Sequence, residues 1–124
     1  MACSTCRNDH GIYNIVADQG ATLQETAVWK DSARKAINVT GYTARMQVRP
    51  SIDSEQVILS LTTENGRISV SGPEGRFDMT VSAIDMTSID AGKYVYDLEI
   101  IAPVSGVVDR LMQGSFIVRG EVTR

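Results

Sequence analysis

Two thiols and an imidazole stand close together near the start of the chain: Cys3-Ser4-Thr5-Cys6, with His10 four residues further on. Thiolates and imidazole nitrogens are zinc-type ligands, so Cys3, Cys6 and His10 are the metal candidates of this sequence. A closed tetrahedral site takes four ligands, and the chain has no other Cys or His. An acidic residue, a water or a neighbouring copy of the chain would have to complete the shell. A redox Cys-x-x-Cys belongs beside a βαβ unit, and the sequence shows none. The reading adopted is two reduced thiols on a terminal arm that packs on a partner, with neither a metal nor a cofactor assigned.

The other pair with chemical potential is Asp97 and Glu99, two residues apart and therefore on one face of a strand. Paired carboxylates can do acid-base work. The structural reading is that they are solvated or meet Arg45, Arg49 or Arg110 across a sheet, as cross-strand charges do. The single histidine lies in the arm, and the Ser and Asp residues fall in turns and on exposed strand faces, so no triad can be assembled. No catalytic residue is assigned, and the chain reads as no enzyme. Gly72-Pro73-Glu74-Gly75 is not a phosphate loop, because it lacks the Gly-Lys-Ser/Thr ending and a following helix. Asn38-Val39-Thr40 matches a glycosylation acceptor, without consequence in the absence of a secretory signal.

The element that places Asp97 and Glu99 runs from Asp90 to Ile100. Tyr94, Tyr96, Leu98 and Ile100 alternate with Lys93, Val95, Asp97 and Glu99, the two-residue period of a strand with one buried side. Asp90-Ala91-Gly92 supplies the turn into it. Asp-x-Gly-x-Tyr resembles an immunoglobulin-type tyrosine corner, with Tyr96 where the second core cysteine would stand, so no disulfide crosses this core.

The remaining strands follow in order. Ile12 to Asp18 and Thr22 to Lys30 come first, the latter carrying Leu23, Ala27 and Trp29 as a core anchor. Tyr42 to Arg49 alternates Tyr42, Ala44, Met46 and Val48 inward and ends at Pro50. Gln56 to Thr62 points Val57, Leu59 and Leu61 inward, and Glu64-Asn65-Gly66 is a hairpin signal into Arg67 to Val70. Gly72 to Gly75 turns into Arg76 to Ser82, with Phe77, Met79 and Val81 on one face. Ile84 to Asp90 is a crossing loop, and Val107 to Val122 a long final strand in which Gly114 marks a bulge or bend. The fold class predicted is all-β, an immunoglobulin-like antiparallel β-sandwich of seven to eight strands, with a small closed barrel as runner-up. Residues 1–11 are read as an N-terminal arm and residues 12–124 as the sandwich domain.

Bulk properties narrow the function. At 124 residues the chain fits one domain, and such a domain buries roughly two thirds of its unfolded surface. A net charge of −3 with scattered Lys and Arg argues against nucleic acid. No apolar run approaches the roughly 20 residues of a membrane span, and the polar start does not read as a signal peptide, so a cytosolic chain without membrane contact is expected.

Several phrases resemble a family of small phage virion proteins with an immunoglobulin-like fold, similar to the N-terminal domain of phage baseplate upper proteins. They are Val39-Thr40-Gly41-Tyr42-Thr43-Ala44-Arg45-Met46-Gln47-Val48-Arg49, Leu61-Thr62-Thr63-Glu64-Asn65-Gly66-Arg67-Ile68, Ala91-Gly92-Lys93-Tyr94-Val95-Tyr96-Asp97-Leu98-Glu99, and the closing Gly114 to Arg124. Together they span about Ile12 to Arg124; the segment from Cys3 to His10 lies outside. The resemblance implies a non-enzymatic structural protein of the phage tail or baseplate, docking fibres or neighbouring tail proteins. It also implies many symmetric copies, with other virion proteins and copies of itself as partners, assembled in the bacterial host cytoplasm. A capsid decoration (cement) protein is the alternative of the same class. A small carbohydrate- or ligand-binding β-sandwich is the rival from another class.

Overall fold

A computed structural model of the protein describes residues 12–123, together with the backbone of Ala2–Cys3. Among the described residues the chain forms nine strands and one short helix: β1 (Ala2–Cys3), β2 (Ile15–Asp18), β3 (Leu23–Lys30), β4 (Thr43–Arg49), β5 (Leu59–Thr62), β6 (Ile68–Ser71), β7 (Arg76–Val81), α1 (Ala83–Thr87), β8 (Gly92–Ile101) and β9 (Val108–Arg119). They build two sheets, β2-β9-β8-β4-β5 and β1-β3-β7-β6, so the fold is all-β in two layers. None of the helices in the described residues is long and apolar enough to cross a membrane.

Alternation decides which side chains face the core, because successive strand residues point to opposite faces. In β8, Tyr96, Leu98 and Ile100 are buried while Lys93, Asp97 and Glu99 face outward, as the sequence predicts. Ala44, Met46 and Val48 of β4 and Phe77, Met79 and Val81 of β7 meet them in one core. Trp29 is buried and meets Tyr42 edge to face, centroids 6.1 Å apart. Tyr94 stays at the margin of that core, half-buried, because its hydroxyl turns back to donate to the Asp90 carbonyl at 2.6 Å and ties down the turn into β8.

Several expectations need correction. The sheets are not wholly antiparallel: β2 runs parallel to β9, from Ile15 opposite Phe116 to Asp18 opposite Arg119. Residues 12–123 hold eight strands, β2 to β9, within the expected seven to eight, and β1 lies in the segment read as an arm. Val57 is exposed, since β5 begins only at Leu59. Glu64-Asn65-Gly66 does not close a hairpin, because β5 and β6 lie in different sheets. Asn65 holds the crossing by its side chain: its Oδ1 accepts from the Thr62 and Arg67 amides, both at 3.0 Å, and its Nδ2 donates to the Ser60 carbonyl. These bonds occupy backbone groups of β5, and β6 pairs with β7 instead.

The true hairpin is Gly72 to Gly75, joining β6 to β7. Gly75 has φ +62°, and a Cβ there would sit 2.6 Å from the Ile37 carbonyl oxygen, so the position admits only glycine. The crossing from β7 to β8 is partly helical rather than a plain loop. Ser82 caps α1, its hydroxyl accepting from the Asp85 amide at 3.2 Å, and Met86 and Ile89 are buried beneath it. The bulge in β9 also lies earlier than Gly114. Leu98 pairs with Met112 and Glu99 with Arg110, which leaves Leu111 as the extra residue. Gly114 instead makes room for the chain start: a Cβ there would stand 2.5 Å from the Tyr13 carbonyl oxygen.

Candidate functional site

The outward face of the five-stranded sheet carries a concavity of about 500 Å³. Its floor follows from register. Gln113, Asp97 and Gln47 stand side by side across β9, β8 and β4, and Val95 lies beside Arg49 one pleat further on. Ile12 forms one wall and Ile52, in the loop after β4, another.

The charges of the floor are tied together. Arg45 Nε donates to Glu99 Oε1 at 2.9 Å, and Arg110 Nε approaches Asp97 Oδ2 at 3.5 Å. Glu99 lies between Arg45 and Arg110 in register but is taken by Arg45, so Arg110 leans to the diagonal carboxylate. Arg49 differs. Its Nε and one terminal nitrogen donate to Gln47 Oε1 at 3.3 and 2.7 Å, and the other terminal nitrogen donates to the Ser54 carbonyl at 2.7 Å. These bonds fix the guanidinium without neutralising it.

A second polar cluster lies on the inner side, below the same strand. Glu25 occupies the inward face of β3, in the row Leu23, Glu25, Ala27, Trp29. The Tyr13 hydroxyl donates to Glu25 Oε2 at 3.5 Å, and the Tyr96 hydroxyl donates to the Tyr13 carbonyl. Burial pushes the Glu25 carboxyl above its ordinary value, partly offset by the Tyr13 hydroxyl. Burial, then the nearby Glu25 and Tyr13, pushes the Tyr96 hydroxyl well above the usual phenol range.

The expected pairings of Asp97 and Glu99 are found with Arg110 and Arg45; Arg49 takes neither. Of the metal candidates, Cys3 has its backbone paired with Trp29 in β1, while its side chain, Cys6 and His10 lie outside the described residues. Among the described residues, no group of three or more His, Cys, Asp or Glu side chains is gathered to hold a metal ion. Asn38 folds its side chain back onto Thr40, accepting from the amide at 2.9 Å and from the hydroxyl at 2.6 Å, as turn residues do. Sequence reasoning missed both the concavity and Glu25. The signal for Glu25 was available: an acid at an inward position of an otherwise apolar row.

Both carboxylates that line the concavity, Asp97 and Glu99, are paired with arginines. Among the described residues its lining includes one aromatic, Tyr96, whose ring is buried in the core. No protein-family model matches the chain, and no curated protein matches its sequence.

Proposed function

We propose that this chain is an immunoglobulin-like β-sandwich acting as a non-enzymatic building block of a phage tail or baseplate. In that role it is present in many copies and docks fibres or neighbouring tail proteins after assembly in the host cytoplasm. The observation that carries the reading is the Tyr94 hydroxyl on the Asp90 carbonyl at the entry to β8, within a sheet ordered β2-β9-β8-β4-β5. A tyrosine corner entering strand F, with G on one side and C and C′ on the other, is the immunoglobulin arrangement. On that mapping β3, β7 and β6 stand for strands B, E and D. Tyr96 and Glu25 face each other near where an antibody domain has its disulfide. The motifs that carry the resemblance to phage virion proteins fall on the β4, β5–β6 and β8 elements and on the end of β9. The virion role itself rests on that resemblance.

Electron microscopy of purified virions with a labelled antibody tests the proposal. Label at the tail or baseplate is expected. Label on the capsid surface would move the chain to the decoration proteins, and particles without label would sink the virion role.

A further inference from the structure

The five-stranded sheet carries an apolar knob at the opposite end from the apolar side of the concavity. Between β8 and β9 the chain turns through Pro103-Val104-Ser105-Gly106, closed by the Ala102 amide on the Val107 carbonyl at 2.9 Å and the Gly106 amide on the Ala102 carbonyl at 3.2 Å. This well-bonded tip presents Val104, 98% exposed, with Val107 at 55% and Val108 at 45% beside it. Asp109 follows, paired through its backbone with Ile100, its side chain exposed on the other face of β9 from Val108 and without an ion-pair or hydrogen-bond partner among the described residues. At the other end Ile52, 86% exposed, and Val95 flank Arg49, which has no carboxylate partner among the described residues. A guanidinium has five N–H groups, and Arg49 spends three on Gln47 and Ser54. The knob thus offers exposed valines and a free acid, and the concavity exposed isoleucine and an uncompensated cation.

We infer that the Val104 tip of one copy docks into the Ile52–Arg49 concavity of the next, with Asp109 supplying the carboxylate that Arg49 lacks. Within one copy Asp109 does not reach Arg49. Val95 and the tip are separated by the length of β8 beyond Val95, roughly 20 Å at strand rise, on one rigid sheet. Knob and socket are different patches, so the contact is head-to-tail and either closes into a ring or grows as a filament. The inference holds whether or not the chain is a virion protein, and purified full-length chain reads it without particles.

Sedimentation equilibrium over a rising concentration series is the test. The weight-average mass is expected to climb above the 13.5 kDa of one chain. Val104→Asp and Ile52→Asp should each hold it at the monomer, and Arg49→Asp should weaken association at least tenfold. All three sites are surface positions, and an unchanged thermal midpoint checks that each variant is folded. The discriminating measurement mixes Val104→Asp with Ile52→Asp. Each retains one intact patch, so the mixture should form a dimer and stop there. Restored association in the Arg49→Asp, Asp109→Arg double variant would assign the ion pair. Wild-type protein that stays monomeric at every concentration overturns the inference. So does a mixture that stays monomeric while the wild type associates, because the interface would then be face to face.

Discussion

Glu25 stands where the alternation of β3 calls for an apolar side chain, and its environment has a measurable consequence. Its carboxyl is raised above 4.5 chiefly by desolvation. The folded chain therefore holds this proton more tightly than the unfolded chain, so its contribution is most favourable below about pH 4.5 and declines as pH rises through the folded value. Asp18 and Asp85, lowered by their hydrogen bonds to Arg119 and Arg67, act in the opposite sense but only as pH falls below 3.8. Urea midpoints of wild type and Glu25→Gln, measured from about pH 4 to about pH 7, should separate, with the variant gaining relative stability toward neutral pH. Parallel curves would mean that Glu25 is solvated. Beside it, Tyr96→Phe removes the hydroxyl bond to the Tyr13 carbonyl. A net loss of about 0.5–1.5 kcal/mol is expected in urea unfolding, more if the carbonyl finds no water. The partners of Asp97 and Glu99 were legible because each arginine lies on a neighbouring strand whose pattern is clear. The Glu25 cluster was not, because it joins residues 13, 25 and 96, and no local pattern reports that meeting.

Elements were legible where their period was long and clean. The two faces of β8 could be read from alternation alone, and Leu98 lies fully buried on the predicted side. Leu98→Ala should cost about 2–5 kcal/mol through the cavity it leaves, well beyond the effect of Val95→Ala on the outward face. Equal shifts in the two unfolding midpoints would contradict the assignment of faces. What local reading missed was pairing. Glu64-Asn65-Gly66 has hairpin chemistry, but turn chemistry says that the chain reverses and not which sheet receives it; here Asn65 binds β5 while β6 joins β7. The helix α1 is too short to show a period, yet Ser82-Ala83-Ile84-Asp85 carries a capping signature that marks its start. Ser82→Ala should lower stability by about 1 kcal/mol, a shift visible in the urea midpoint.

At the scale of the whole molecule, both ends of the domain meet in one sheet. β9 lies between β2 and β8, so the five-stranded sheet is complete only when residues about 100 positions apart have paired. Folding dominated by such distant contacts is slow compared with helical domains of similar size. Cys3, Cys6 and His10 precede this pairing, and elemental analysis of purified protein is expected to find no zinc or iron at a fixed ratio to the chain; a stoichiometric metal would make the arm a ligand set after all. The parallel run of β2 along β9 has a mechanical meaning. The leading end of β2 and the trailing end of β9 leave the sheet at opposite ends of their shared ladder, which the Asp18–Arg119 ion pair at 2.7 Å and the Gln19 amide on the Arg119 carbonyl close off. Tension applied between residues 12 and 123 draws the two strands past each other lengthwise and strains every rung together, whereas an antiparallel ladder with its free ends on the same side would unzip rung by rung. The domain is thus built to carry a pull along its own strands, and it would peel far more easily from the β5 or β6 edge.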